Sequence, residues 1–397
     1  MDRPTNILFL AIAQTLLWAG LYYIFPALFA RWEISLGYSK TAIASAFTSA
    51  IIISSILAPF VGNLIDRGYG RSILVGSSIL GAIGLIALSF SSGFLIFFVS
   101  WSVIGIALSG CLYEPCFAYV TKVRGTKAKD AIIFITLIAG FAGTVSFPVS
   151  NIFADLINWQ ASARIFAGVI LFFVVPILLI STKSENKHSV NLKSLSKKID
   201  NYKLRNDLIR PEFISLFFSF LALALAHGMV ITHIIPLLIE RNIPNAIQLF
   251  ITALIGPSQV VGRIIMIILQ KQKFSINIIS TLTFILKIVA TIFLIYANNN
   301  IYLLILFVIF QGSGAGMTSI ARPVVTANIM GYERFGSVSG AMAVGYIGGS
   351  ALSPIIGAQI WEWNSYDSML RIISVILLMG FVSYIIALKI NHNNKIN

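Results

Sequence analysis

Two charge–proline steps stand out in this chain. Glu114 precedes Pro115 in Leu112-Tyr113-Glu114-Pro115, and Arg322 precedes Pro323 in Ile320-Ala321-Arg322-Pro323, 208 positions further on. Both charges interrupt otherwise apolar segments, as do Arg263 in Val260-Val261-Gly262-Arg263 and Lys287. A charge at membrane depth costs roughly 2.5–3.5 kcal/mol or more, so it marks a pathway or binding site by default. An Arg fork matches a carboxylate with two parallel hydrogen bonds. The two forks of Arg263 and Arg322 against the one carboxylate of Glu114 leave a positive charge over, which suits an anionic ligand. Glu114 is also placed to carry a coupling proton, because apolar surroundings and a nearby Arg act on it in opposite directions. The competing readings are a permanent Glu114–Arg322 gate bridge, and a helix-end role for Arg263. Lys287 reads as a packing or lipid-facing residue.

His227 and His233 lie in one apolar run, and either can change charge near neutral pH. Their spacing of six keeps them off a common helical face, which argues against a metal pair. Gln14, Trp18 and Tyr22 recur at i, i+4 and i+8 and share one face; they are expected to line a cavity, with helix packing as the alternative. Gln311 and Asn151 are weaker candidates of the same kind.

The elements that must position these residues are membrane spans. Of 397 residues, 57% are hydrophobic and 11% charged, against about 25% charged in an ordinary soluble domain. Mean hydropathy is +0.90. Apolar runs long enough to span a bilayer fall near residues 6–30, 41–64, 72–90, 94–121, 131–156, 163–181, 212–238, 246–270, 276–296, 300–328, 334–360 and 368–389. The expected fold is therefore an all-α membrane protein of twelve transmembrane helices, and the alternating pattern of a β-barrel is absent. The first run is too long for a signal-peptide core and reads as the first span. Cys111 and Cys116 share a span and read as packing residues. Trp159, Trp361 and Trp363 fall at outer span ends and read as interfacial anchors.

The net charge of +14 does not point to nucleic acid, because of where the charges lie. With the N-terminus inside, 20 of the 28 Lys and Arg residues fall on inner loops and ends, as the positive-inside rule requires. Both termini are then cytoplasmic, and a bacterial inner membrane is the expected location.

Ser181 to Pro211, rich in Lys, Ser and Asn, separates six spans from six. The expected organisation is an N-terminal bundle over 1–181, a basic cytoplasmic linker over 182–211 and a C-terminal bundle over 212–397. The halves match weakly in order. Tyr23-Ile24-Phe25-Pro26 pairs with His233-Ile234-Ile235-Pro236, the charge–proline steps pair with each other, and Gly140-Phe141-Ala142-Gly143 pairs with Gly345-Tyr346-Ile347-Gly348. The offsets are 210, 208 and 205, near enough to one value to indicate a duplication. Two pseudo-symmetric six-helix bundles follow.

Between the second and third spans stands Gly62-Asn63-Leu64-Ile65-Asp66-Arg67-Gly68-Tyr69-Gly70-Arg71. A tight reversal at a membrane surface needs Gly for unusual backbone angles, and Asp66 at a helix end can meet Arg67, Arg71 or the positive N-terminus of a neighbouring helix. This loop resembles the signature of the major facilitator superfamily, though Tyr69 and Ser72 depart from the usual pattern. The resemblance implies that Gly62, Asp66, Arg67 and Arg71 are conformational-switch residues that latch the cytoplasmic side. Within the superfamily the stretch from Gly105 to Pro115, leading into Lys122-Val123-Arg124-Gly125, and the run ending in Arg263 resemble the monocarboxylate transporters and the oxalate:formate antiporter. There an Arg at this place binds the substrate carboxylate, which implies that role for Arg263. Gln259 stands where some of those relatives carry a carboxylate.

The expectation is a secondary carrier, coupled to protons or a counter-anion, that moves a small or medium organic anion between the two faces of the bilayer as a monomer. Its substrate contacts would be Arg263, Arg322, Gln14, Trp18, Tyr22 and Gln311, and its proton-coupling residues Glu114, His227 and His233. The alternative cargo is a siderophore or drug-like compound. No GxxxxGK[ST] loop, metal cluster or nucleophile triad is present, so neither ATP drive, a cofactor nor an enzymatic role is expected.

Overall fold

A computed structural model describes residues 4–183, 204–332 and 334–396. Most of the expected linker, 184–203, lies outside the described residues. Those described are helical, with no strand among them.

Eleven helical stretches are long and apolar enough to cross a membrane. One of them, Thr41–Ser89, runs 49 residues, more than twice the ~20 that a span needs. It is two crossings joined at Ile65–Tyr69, where Gly68 takes a φ of 89°. That left-handed angle is open to Gly at little cost, and it supplies the reversal although the neighbouring position holds Tyr69. Among the described residues the crossings number twelve, as hydropathy implies.

We number the crossings α1 (Ile7–Phe29), α2 (Lys40–Leu64), α3 (Gly70–Ser89), α4 (Phe94–Arg124), α5 (Ala128–Leu156) and α6 (Trp159–Thr182), then α7 (Pro211–Glu240), α8 (Asn245–Lys271), α9 (Ile276–Tyr296), α10 (Ile301–Met330), α11 (Phe335–Trp363) and α12 (Tyr366–Ile396). Side-chain caps set several starts. Ser39, Asn158, Ser275 and Asn300 each accept a hydrogen bond from the first turn of the helix that follows, filling donors the helix itself leaves open.

The same helix pairings recur in the two halves, shifted by six. In the first, α2 packs on α4, α3 on α4, α1 on α6 and α3 on α6; in the second, α8 packs on α10, α9 on α10, α7 on α12 and α9 on α12. Contacts divide the chain into two compact units, the first comprising residues 1–204 with 332–344, the second 205–331 with 345–397. The first ten residues of α11 thus belong to the first unit.

Trp159 departs from the sequence expectation. The Asn158 cap starts α6 about a turn before the apolar run begins, which carries Trp159 into the interior. It is 5% exposed and packs edge-on against Trp32 at 6.0 Å, so it is not an interfacial anchor. Trp361 and Trp363 are exposed, in keeping with that role.

Candidate functional site

In the first unit the site residues gather around a break in α4. The helix runs Phe94–Cys111, Leu112 is extended (φ −84°, ψ −156°), and helix resumes over Tyr113–Arg124. Pro115 has no amide to give the Cys111 carbonyl four residues back. An unpaired carbonyl at membrane depth is costly, and here Gln14 Nε2 from α1 donates to it at 2.8 Å. Gln14 is fully buried, and its Oε1 has no hydrogen-bond partner. One turn on, α1 loosens into a π-helical turn over Trp18–Tyr23. Trp18 packs on Tyr22 at 4.9 Å and on Tyr113 at 4.7 Å, and Tyr113 stacks on Phe117 at 5.0 Å. The face read from Gln14, Trp18 and Tyr22 is therefore an aromatic wall that also enlists Tyr113 of α4. Cys111 and Cys116 are free thiols buried in the same helix.

Glu114 sits in the first turn after the break. Ser339 Oγ of α11 donates to its Oε2 at 3.2 Å, and the carboxylate borders a small cavity of about 10 Å³ with Gly62, Ser109 and Gly340, close to the size of one water.

Asp66 caps the start of α11. Its Oδ1 accepts from the Gly336 amide at 2.9 Å, and its Oδ2 accepts from the Ser337 amide and hydroxyl at 2.7 Å each. These donors are among those a helix leaves unsatisfied at its N-terminus, and the dipole there favours a negative charge. Of the partners open to Asp66 in the sequence, the helix end is the one found, and Lys122 of α4 acts on it electrostatically. Arg67 is exposed and Arg71 half-buried. Gly62 makes the approach possible: a Cβ there would stand 1.9 Å from the Gly336 carbonyl oxygen.

In the second unit the helices cross at backbone contact. A Cβ on Gly262 would meet the Ser313 carbonyl oxygen at 2.2 Å, and one on Gly316 the Gln259 carbonyl oxygen at 2.0 Å, so α8 and α10 touch through their main chains. Arg263 follows this crossing; it is 8% exposed, and its Nε has no hydrogen-bond partner. Arg322, 5% exposed, lays its guanidinium over the Tyr346 ring at 4.6 Å. Gln311 Nε2 lies 3.3 Å from His227 Nδ1. His233 contacts the Pro354 carbonyl at 2.9 Å through Nε2. The two histidines thus serve different helices, α10 and α11.

For Lys287 the structure decides between the two readings. It is 1% exposed, so it packs inside the second unit and does not face lipid. Its stem runs past Gly314 of α10, where an added Cβ would be 3.0 Å from Lys287 Cγ. A bare glycine on the neighbouring helix turns a span charge inward, which span hydropathy does not reveal.

The geometry adds Tyr113, Ser337, Ser339, Tyr346 and Lys287 to the candidate residues. Ser337, a hydroxyl just ahead of an apolar run, carries a helix-start signal in the sequence; Tyr346 lies inside the repeated glycine pattern. Asn151 instead sits toward the C-terminal end of α5, where its Oδ1 accepts from Arg31 Nε at 3.2 Å beside the Arg31–Asp155 ion pair.

The sequence profile of the Major Facilitator Superfamily matches residues 10–299, well over half of the chain, and the protein belongs to that superfamily. It is 21% identical over 338 residues to the MFS transporter asaE of Aspergillus flavus, a match covering 84% of this chain and 74% of that one. A shorter match, 27% identical over 146 residues, spans 37% of this chain and 38% of an uncharacterized 38 kDa protein in the 23S RNA operon of Thermoproteus tenax. Among solved structures, the MFS transporter FucP in its outward conformation has a TM-score of 0.74 at 13% identity, covering 98% of this chain and 99% of that one. A variant of the E. coli fucose:proton symporter FucP gives 0.71 at 14% identity over the same shares. At such identities the likeness establishes the fold. The protein is a multi-pass membrane transporter of this superfamily.

Proposed function

We propose that this transporter moves a small or medium organic anion, a carboxylate, by alternating access, and that Arg263 and Arg322 take the carboxylate. The observation that carries the reading is the burial of Arg263 in α8: it is 8% exposed, and its Nε has no hydrogen-bond partner among the described residues. A guanidinium held away from water is costly unless a counter-charge reaches it, and a carboxylate substrate supplies one. Arg322, 5% exposed, lies in α10 of the same unit. Gln311 orients His227 in that unit, and Gln14, Trp18 and Tyr22 line the substrate path in the first unit. Glu114, His227 and His233 carry the proton coupling. Gly62, Asp66, Arg67 and Arg71 act as the switch, since the Asp66 cap must let go of α11 when the carrier changes state.

Within the superfamily we read the chain as akin to the monocarboxylate and oxalate:formate carriers, a reading supported by the resemblance of the Gly105–Pro115 stretch and Arg263. We place the protein as a monomer in a bacterial inner membrane with both termini in the cytoplasm. Its partners are then lipid and a small molecule, with no nucleic acid and no cofactor. A second reading, transport of a siderophore or drug-like compound, is favoured by the Trp18–Tyr22–Tyr113 wall, which suits a bulkier cargo.

Thermal stabilisation of the purified protein tests both. A ligand bound only to the native state raises stability by about RT ln(1+[L]/Kd). A carboxylate that stabilises the wild type but neither Arg263→Ala nor Arg322→Ala supports the anion site. Stabilisation by apolar cations alone, equal in all three proteins, would overturn it in favour of the second reading.

A further inference from the structure

The Gln14 amide has two ends, and one of them is in use. Its Nε2 donates to the Cys111 carbonyl at 2.8 Å. A carbonyl accepts and never donates, so this bond fixes which end of the amide is which. The Oε1 is thereby an acceptor on the other arm of the amide. It is buried, and among the described residues nothing donates to it. One turn further along α1 the Trp18 Nε1 is buried too, with no acceptor among the described residues. An indole N–H donates only.

These two atoms are complementary to one kind of group. Residues four apart share a helical face, with Cβ atoms about 5–6 Å apart, a gap that one oxygen at hydrogen-bond distance from both side chains spans. A hydroxyl accepts from the indole and donates to the amide oxygen. A keto oxygen has no proton for Gln14, and a carboxylate sets its negative charge against the Oε1 lone pairs. An ammonium has no lone pair for Trp18. The Tyr22 and Tyr113 rings lie 4.9 and 4.7 Å from the indole, which suits the carbon skeleton beside such a hydroxyl.

The backbone gives the pair a way to open. Trp18–Tyr23 is π-helical, a local form that recurs at functional sites, and Ser146 Oγ of α5 donates to the Ala19 carbonyl within it at 2.7 Å. A register change in this turn would move the indole and leave Gln14, which precedes the turn, on the Cys111 carbonyl.

We propose that Gln14 and Trp18 form a hydroxyl-reading pair in the first unit, which selects a hydroxylated acid over the deoxy and keto acids of the same carbon skeleton. The inference rests on the anion reading above and adds to it the group that accompanies the carboxylate. The physical basis of the selection is the cost of the acid that lacks the hydroxyl: it meets the same two buried polar atoms and leaves one or both unpaired.

The test is a set of matched affinities. Purified full-length protein in detergent is titrated with three trios: lactate, propionate and pyruvate; 3-hydroxybutyrate, butyrate and acetoacetate; mandelate, phenylacetate and phenylglyoxylate. In wild type the hydroxy acid of a trio that binds is expected to bind about tenfold or more tighter than its two counterparts. Trp18→Phe keeps an aromatic ring and removes the N–H, so the preference should fall toward one while affinity for the deoxy acid is kept. A purely structural role would lower all three alike. Gln14→Met removes the acceptor and serves if the Phe variant does not fold. Arg263→Ala should weaken the three acids together and leave their ratio unchanged. Equal affinities within every trio that binds wild type would overturn the pair and spare the anion site, as would a full preference retained in Trp18→Phe. A preference that persists while Arg263→Ala changes no affinity would sink the Arg263 site and leave the pair standing. If no acid binds the wild type, the anion reading fails and this inference falls with it.

Discussion

Gln14 Nε2 on α1 donates a 2.8 Å hydrogen bond to the Cys111 carbonyl on α4, the acceptor that Pro115 leaves without its helical donor. One buried amide thus completes a helix that a proline interrupts 97 positions later in the chain. The break turns Glu114 and Tyr113 onto a new helical segment, so the Gln14 bond also supports the Glu114 carboxylate and the aromatic wall.

That relationship predicts a coupled pair. Gln14→Leu should destabilise the protein by about 1–3 kcal/mol, the cost of leaving a buried polar group unsatisfied. Pro115→Ala restores an amide near the same carbonyl, so the double variant should lose less than the sum of the two single changes. Melting temperatures of the four proteins in one detergent form the cycle; strict additivity would show that Gln14 does not serve Cys111.

Asp66 accepts two amides and one hydroxyl at the start of α11. Asp66→Ala should cost about 0.5–2 kcal/mol, as loss of a helix cap does, and Asp66→Asn less, because one acceptor oxygen remains. Ser337→Ala removes only the hydroxyl donor and should rank below both. Chemical or thermal denaturation of the three variants gives the order; an inert Asp66→Ala would contradict the cap.

Gly62→Ala places a Cβ 1.9 Å from the Gly336 carbonyl oxygen, where only backbone can move aside. Overpacking of this kind costs typically about 1–3 kcal/mol. Gly76→Ala in α3, whose Cβ would meet nothing within 4 Å, is the matched control. The expected result is a lower melting temperature and reduced transport for the first and wild-type behaviour for the second.

Arg322 is steadied by the Tyr346 ring. Tyr346→Leu should weaken anion binding roughly twofold to thirtyfold, the range of a cation–π contact worth about 0.5–2 kcal/mol. Arg322→Lys should be worse, since an ammonium keeps the charge but loses the planar fork and the stacking. Binding isotherms for a carboxylate that stabilises the wild type decide the ranking.

The twelve crossings were readable from the sequence because span-length hydropathy is a local property, and so was the loop around Asp66, whose residues are contiguous. The charges of Arg263, Lys287 and Arg322 were readable too, as exceptions within apolar runs. Which way each charge points was not. Lys287 turns inward because Gly314, 27 positions later, opens a notch for its stem. Trp159 is buried because a cap moves the start of α6. The two charge–proline steps are alike as text, yet α4 breaks at Leu112 while α10 continues through Pro323. In α4 a side chain from another helix takes up the orphaned carbonyl. In α10 the run remains helical through Pro323. Hydropathy and motif depend on neighbours along the chain. Burial, capping and the partner of an orphaned carbonyl depend on neighbours in space, and only the tertiary structure brings those together.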